Sequence, residues 1–583
     1  MSERRASEEW FTSWDGTRLF YRAWETSRAA DKAVLLLHRG HEHSGRLQDL
    51  VERLRLDGIS LFAWDQRGHG RSPGERGWAE SFATVVKDLD AFVRFLSASR
   101  SIPVENMAVV AYSVGSVLAA AWIHDYAPPL RAAVLGTPAF RVKLYVPFAL
   151  PLLRLKQRFV PRSFIRSYVK SRMLTHDPEM AREYDQDPLI SRAIAVNVLI
   201  DLFDTSTRLL ADASAIRVPT LVLAAGSDWV VHLSAEKRFV ERLGSEEKAI
   251  EVFAGFYHAV FHEKERERPI ARARDFIVKA FETPPASRAS LLDADRVGFA
   301  KDEFDRLSRP LPLGSPKRWS YAVQRLLMRS VGRMSAGIRL GWARGFDSGP
   351  SLDYVYENRA RGISPLGRWI DRLYLDSVGW KGIRQRKSNL QKILESAIDS
   401  VRSVRSPVRI VDVAAGPARY LLETLKKRRD VAMVALLRDR DAHGLDAARA
   451  LALQMGLDNV TCVEGDAFDA DSLAAMAPRP DIAVVSGVYE LFSDNACVRR
   501  SLNGLHRALA ADGWLIYTNQ PWHPQLEMIA RVLVHGDGTP WVMRRRTQEE
   551  MDQLVRVAGF KKFGMEIDEW GIFTVSAAQK ADR

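Results

Sequence analysis

Short apolar runs, each ending in a turn of small or charged residues, recur along this chain and alternate with segments of helical spacing. In the first half they are Ala33–Leu37, Leu61–Trp64, Met107–Val110, Pro219–Ala225 and Ile250–Phe253. In the second they are Val408–Asp412, Val431–Leu437, Val460–Val463 and Ile482–Val485. Runs of this length, bounded by turn signals, read as strands, with Pro219–Ala225 a buried one. Stretches such as Val117–Trp122 read as the intervening helices. Both halves therefore predict a parallel sheet wrapped by helices, an α/β fold.

One turn carries chemistry. Ala111-Tyr112-Ser113-Val114-Gly115 follows a strand and opens a helix, with Ser113 at the apex. Small residues beside the serine suit a strained turn in which strand and helix run close together. Asp228 leaves a later strand, and His258 follows the strand after that. Serine, acid and histidine in this order are the hydrolase arrangement, in which His258 takes the Ser113 proton and Asp228 fixes the imidazole.

Two upstream loops complete a pattern: His38-Arg39-Gly40-His41-Glu42-His43-Ser44-Gly45-Arg46 and Asp65-Gln66-Arg67-Gly68-His69-Gly70-Arg71-Ser72. With His258 followed by Glu263, they make residues 10–280 resemble the monoacylglycerol-lipase-like branch of the α/β-hydrolases. The resemblance implies a helical cap and an oxyanion hole from the backbone N–H groups of Gly40 and Val114. The chain departs from the family at two glycine positions, now Arg39 and His41. Arg39 is expected either to recognise an anionic substrate group beside the hole or to face solvent.

The second half repeats strand-end chemistry of another kind. Asp412 ends the first strand and is followed by Val413-Ala414-Ala415-Gly416-Pro417-Ala418. Asp439 follows the second strand, Asp466 and Ala467 the third, and Ser486 the fourth. A small-residue turn and a ribose-binding acid about twenty residues on suit a nucleotide-like ligand. The set resembles a class I S-adenosylmethionine-dependent methyltransferase, a Rossmann-like domain with preceding helices. That resemblance implies S-adenosylmethionine bound by Asp412, Ala414, Gly416, Asp439, Asp466, Ala467 and Ser486. Ala414 and Ala418 replace two glycines of the usual turn. Tyr354, Tyr356, Tyr489 and His523 are candidates for the acceptor pocket, with plain packing as the competing reading.

The chain as a whole resembles a bacterial fusion of these two enzymes, a bifunctional serine ester hydrolase and methyltransferase. The organisation read from it is 10–282 hydrolase, with a cap at about 140–210; 283–316 linker; 317–400 basic helical segment; and 401–578 methyltransferase. Thr283-Pro284-Pro285-Ala286-Ser287 marks the boundary. The alternative class is a lipid-binding or regulatory protein with degenerate sites, resting on Arg39 and the alanine-substituted turn.

Charge and cysteine content adjust the picture. Net charge is +13 over 583 residues. Arg141–Leu174 holds nine basic residues and no acid, and Lys317–Phe346 seven and none. Neither run is apolar enough to span a bilayer. A basic, apolar cap suits peripheral contact with an anionic membrane and a lipid-like substrate, with a solvated arginine-rich helix face as the competing reading. No nucleic-acid motif accompanies the basic runs, so nucleic acid is not an expected partner. Two cysteines, Cys462 and Cys497, and an N-terminus without a signal-peptide core fit a cytoplasmic protein, peripheral on the membrane's inner face. His38, His41 and His43 belong to the oxyanion loop, and no metal is expected.

Overall fold

The apolar runs of the first half assemble into one eight-stranded sheet. Its strands are β1 (Ser7–Thr12), β2 (Arg18–Trp24), β3 (Ala33–Leu37), β4 (Ser60–Trp64), β5 (Met107–Tyr112) and β6 (Ala132–Gly136). A two-stranded hairpin, β7 (Phe164–Arg166) and β8 (Ala193–Ala195), interrupts the series before β9 (Thr220–Ala225) and β10 (Lys248–Phe253). The order is β1-β2-β4-β3-β5-β6-β9-β10, antiparallel at β1/β2 and β2/β4 and parallel elsewhere. Strands β3, β5, β6 and β9 are buried along their whole length, which is why they read as continuous apolar runs. This computed structural model describes residues 5–26, 30–284 and 290–581.

Between β6 and β9 the chain leaves the sheet. There it forms the helices Ala149–Phe159, Pro178–Gln186 and Val196–Ala211 together with the hairpin β7/β8.

Ser290–Arg583 forms the second compact unit. Six helices, from Phe299–Ser308 to Val378–Arg402, precede its sheet. The strands are β11 (Val408–Val413), β12 (Met433–Asp439), β13 (Val460–Glu464), β14 (Ile482–Val485), β15 (Trp514–Asn519), β16 (Phe560–Ile567) and β17 (Thr574–Lys580). Their order, β13-β12-β11-β14-β15-β17-β16, is parallel through β15, with β17 antiparallel to both neighbours. The order reverses between β11 and β14, so the carboxyl ends of β11, β12 and β14 border a crevice, where open α/β sheets bind ligands.

Two expectations are corrected here. Strand β12 begins at Met433 rather than Val431, so Asp439 is its last residue rather than part of the following turn. Residues 290–316 are not a free linker. Phe299–Ser308 is an amphipathic helix that buries Ala300 and Leu307, while Glu303 pairs with Arg545. The Pro-rich stretch after Arg309 ends that helix because proline supplies no N–H. Pro285, Ala286 and Ser287 of the expected boundary lie outside the described residues.

Candidate active sites

Ser113 sits between β5 and the helix Val114–Tyr126 with φ +54° and ψ −113°, a conformation costing an L-residue about 1–3 kcal/mol. The turn is held because its neighbours are small. A β-carbon on Gly115 would stand 2.5 Å from the His38 carbonyl oxygen and 2.7 Å from that of Leu37. The Ser113 N–H donates to the Gly136 carbonyl at 2.8 Å.

The structure brings Ser113, His258 and Asp228 into one hydrogen-bonded line. His258 Nε2 lies 2.8 Å from Ser113 Oγ, and Nδ1 lies 2.8 Å from Asp228 Oδ2. An ionised Asp228 can only accept, so Nδ1 carries the proton and Nε2 faces the serine as a base. Burial alone would raise the Asp228 carboxyl. The His258 imidazole and the N–H groups of Val231 and Val230 outweigh it and hold the group below the usual range. All three side chains are buried. The loop bearing His258 is tied down by Glu263, which accepts from the N–H groups of Tyr257 and His176 at 2.9 and 3.0 Å. Glu263 also lies 2.9 Å from His176 Nδ1.

Gly40 and Val114 stand side by side: a β-carbon on Gly40 would lie 3.1 Å from Val114 Cγ2. The loop before them is pinned by His38. Its Nε2 accepts from the Gln66 N–H at 3.2 Å, so its Nδ1–H donates to the Arg39 carbonyl at 2.8 Å. His41 has φ +74°, the left-handed region that explains the glycine usual at this position.

Arg39 corrects both of its expected readings. It neither faces solvent nor offers a free cation, because it is only 5% exposed and forms a 2.9 Å ion pair with fully buried Glu42. Its guanidinium also lies over the rings of Tyr184 and Tyr112. A buried arginine needs a partner, and Glu42, three residues on, supplies it.

In the second unit a cavity of about 1110 Å³ opens at the strand ends. Ala414, Gly416, Asp439, Asp466, Ala467, Ser486, Tyr356 and His523 line it. Gly416 has φ +52°, and its N–H donates to Asp439 Oδ2 at 2.7 Å. Asp439 Oδ1 accepts from the Asp441 N–H at 2.8 Å, and Asp466 Oδ1 from the Phe468 N–H at 2.9 Å. His523 Nδ1 accepts from the Gln525 N–H at 3.0 Å, and burial drives its pKa down to about 3. The ring is therefore neutral, with its proton on Nε2: it can donate to a ligand but cannot serve as a base there.

Three expected residues do not reach this cavity. Asp412 points into the core and accepts from the Tyr420 hydroxyl at 2.8 Å. Burial pushes its pKa up to about 8, with the Tyr420 hydrogen bond opposing and Asp439 adding to the rise. Tyr354 donates its hydroxyl to buried Asp371, and the Tyr489 hydroxyl pairs with Ser501 at 2.9 Å. Asp412 pairs in register with Leu437, two residues short of Asp439, so it faces the same side of the sheet but lies deeper, below the strand ends.

Two polar pairs in the cavity escaped sequence reading. Arg386 pairs with Glu490 at 2.7 Å, and Glu490 Oε1 accepts from Thr518 Oγ1 at 2.8 Å. His535 Nδ1 lies 2.6 Å from Asp347 Oδ2, and both residues line the cavity. The Asp347 hydrogen bond raises the His535 pKa; partial burial opposes the shift, while the charges of Asp347 and Asp537 add to it. The partners lie 104 and 188 residues apart, at no motif spacing.

A family model described as "Serine aminopeptidase, S33" matches residues 28–265, and one described as "Putative methyltransferase" matches residues 273–580. "Uncharacterized protein YnbC" of Escherichia coli (strain K12) is 47% identical over 588 residues, covering 100% of both chains. The monoacylglycerol lipase of Mycolicibacterium smegmatis is 26% identical over 274 residues, 47% of this chain and 97% of the lipase. Among solved structures, the monoacylglycerol lipase of Paleococcus ferrophilus is 26% identical, with a TM-score of 0.42, and covers 45% of this chain and 99% of that one. Among the described residues, no helix is long and apolar enough to cross a membrane. The chain belongs to the family of the second model, which spans more than half of it, and its methyltransferase unit is preceded by an α/β-hydrolase unit similar to the monoacylglycerol lipases.

Proposed function

We propose that this is a bifunctional enzyme: a serine hydrolase of a lipid-like ester or thioester, joined to an S-adenosylmethionine-dependent methyltransferase. The observation that carries the hydrolase half is the continuous Ser113–His258–Asp228 hydrogen-bonded line at a strained elbow. Ser113 Oγ attacks the carbonyl carbon as His258 Nε2 takes its proton, and the developing oxyanion is held by the N–H groups of Gly40 and Val114. The imidazolium then passes the proton to the leaving alcohol or thiol, leaving an acyl-Ser113 ester. Water, deprotonated by the same nitrogen, completes the cycle. A fluorophosphonate probe should label the wild-type chain and leave Ser113→Ala unlabelled. An unlabelled wild type would sink this half and favour a lipid-binding protein.

The donor set of the second unit fits S-adenosylmethionine. A β-carbon on Gly416 would meet nothing nearer than the Gly349 α-carbon at 3.9 Å, so the space beside it is open and backbone can approach a ligand there. Asp439 would hold the ribose hydroxyls, Asp466 and the Ala467 N–H the adenine edge, and Ala414 and Ser486 the turns between them. Bound, that group supplies an electrophilic methyl. The chain's own residues then position the acceptor and remove its proton: His523 Nε2–H donates to an acceptor oxygen, and His535 Nε2 accepts the proton while Asp347 holds Nδ1–H. Calorimetric titration with S-adenosylmethionine should give binding for wild type and at least tenfold weaker binding for Asp439→Ala. No binding to wild type would remove this half.

The cap supports a lipid substrate. Its helix Ala149–Phe159 exposes Leu152, Leu155 and Phe159 beside Arg154, Lys156 and Arg158, a pattern suited to an anionic bilayer surface. We place the enzyme on the cytoplasmic face, where the unpaired thiols of Cys462 and Cys497 stay reduced. The two activities suit consecutive steps, one freeing a hydroxyl or carboxyl that the other methylates.

A further inference from the structure

We infer that the second unit has its own seat on an anionic lipid bilayer, separate from the hydrolase cap, and that its methyl acceptor is an apolar-chained molecule drawn from that bilayer. The acceptor class rests on reading this unit as a methyltransferase; the seat itself does not.

Two helices carry the inference. Pro316–Arg329 leaves Trp319, Val323, Leu326 and Leu327 exposed, Trp319 at 64% and Leu326 at 66%. Spacings of four and three or four put them on one helix face. Pro365–Leu375 does the same with Leu366, Trp369 and Leu373, and Ile363 just before it is 73% exposed. A folded surface rarely leaves so many large apolar side chains together in water without a use.

The stripes are neighbours. Both helices pack against the short turn Val331–Met334. The Ile363 N–H donates to the Met334 carbonyl at 3.1 Å, and a β-carbon on Gly367 would lie 2.5 Å from that oxygen.

Charge selects the occupant. Pro316–Arg329 contains no acid. The one acid of the other helix, Asp371, is fully buried, bonded to Ser335, Tyr354 and the N–H groups of Gly337 and Arg361. Among the described residues, no carboxylate pairs with Arg325, Arg329, Arg333, Arg359 or Arg368, while Glu527, Glu357 and Asp376 are engaged by Lys317, Arg361 and Arg372. Exposed tryptophan and leucine fringed by arginines that no carboxylate neutralises match the boundary between acyl chains and anionic headgroups. Of these arginines, Arg325 donates to the Arg531 carbonyl and Arg329 lies over Trp342, while Arg333 and Arg368 are exposed.

The seat adjoins the chemistry. Ile370 and Leu373 of one helix and Met328 of the other line the cavity that also holds Asp439, His523 and His535. An apolar chain can thus pass from bilayer to cavity along side chains of the same two helices, with its polar end toward the histidines.

The test uses the full chain carrying Leu155→Ser and Phe159→Ser, so that the cap does not bind for it. Vesicles of phosphatidylcholine with 30% phosphatidylglycerol, and of phosphatidylcholine alone, are floated with this parent. Flotation should favour the anionic vesicles, and Trp319→Glu/Leu326→Glu should lower it at least tenfold without lowering the melting temperature. Arg333→Gln and Arg368→Gln should each cost about fivefold. Equal flotation on both vesicle types, or unchanged flotation of the glutamate variant, overturns the seat. For the acceptor, vesicles of total Escherichia coli lipid are incubated with methyl-tritiated S-adenosylmethionine and extracted into organic solvent. Label should enter the organic phase with the parent and fall at least tenfold with the glutamate variant, whose affinity for S-adenosylmethionine by calorimetry stays the same. Parental chain that binds the donor yet leaves the organic phase unlabelled overturns the acceptor class. Failure to bind the donor at all condemns the methyltransferase reading and leaves the flotation result standing.

Discussion

The carbonyl oxygen of His38 stands 2.5 Å from where a β-carbon on Gly115 would project, so the nucleophile turn and the oxyanion loop are fitted to each other through one missing methyl group. Gly115→Ala must push β3 and the helix after Ser113 apart, since both obstructing atoms are backbone. We expect a loss of about 1–3 kcal/mol in stability and at least a hundredfold slower fluorophosphonate labelling, measured by thermal melting and probe kinetics.

Asp228→Asn would keep the shape of the triad but present an amide that can donate to Nδ1 and turn the imidazole to the wrong tautomer. Ester hydrolysis should fall about 10⁴-fold. Steady-state rates on a medium-chain monoacylglycerol check this, with melting unchanged within about 2 °C.

Removing Glu42 should be worse than removing the whole pair. Glu42→Ala strands the buried Arg39 cation and leaves Arg46 only Glu183, and should cost about 3–5 kcal/mol, whereas Arg39→Met/Glu42→Leu should recover the Arg39 share of that loss. Chemical denaturation of both variants and each single change measures it. Arg39→Met should also leave the preference between anionic and neutral esters unaltered.

Asp412 carries its proton in the folded state up to about pH 8, far above the range of a free carboxyl. The folded chain therefore binds more protons than the unfolded one between about pH 4 and 8, and this group's contribution to stability declines as pH rises through that window. Asp412→Asn lacks the decline. Its melting temperature relative to wild type should increase by about 3 °C or more between pH 5 and pH 8.5.

Asp347→Asn should return the His535 pKa towards the ordinary histidine value. Nuclear magnetic resonance of ¹³C-histidine, assigned with His535→Gln, reads it directly. Methyl transfer that needs the neutral imidazole should rise with pH through a higher midpoint in wild type than in Asp347→Asn.

Much of this was legible in the chain. Ser113 and Asp228 follow strands that are buried throughout, and His258 follows the half-exposed edge strand β10, so apolar runs locate them and chain order supplies their roles. Ala414, Gly416, Asp439 and Asp466 were legible as strand ends and turns after apolar runs, even though the edge strand β13 before Asp466 is largely exposed. What escaped reading depends on depth and distance. Asp412 belongs to the same motif, but its position on β11 sets it below the strand ends. Asp347 and His535 meet only because helices before the sheet fold over a loop far downstream. Arg39 was misread because its substitution for glycine looked like gained function, when Glu42 three residues on already balanced it. The helix Phe299–Ser308 was hidden by the proline-rich stretch that ends it.

The Arg39–Glu42 pair bears on turnover. Hydrolysis at Ser113 would release a carboxylate, and a bare guanidinium at that spot would cling to it and slow each departure. With its counter-ion built in, this arginine can buttress the loop without becoming a trap for the anion the reaction makes.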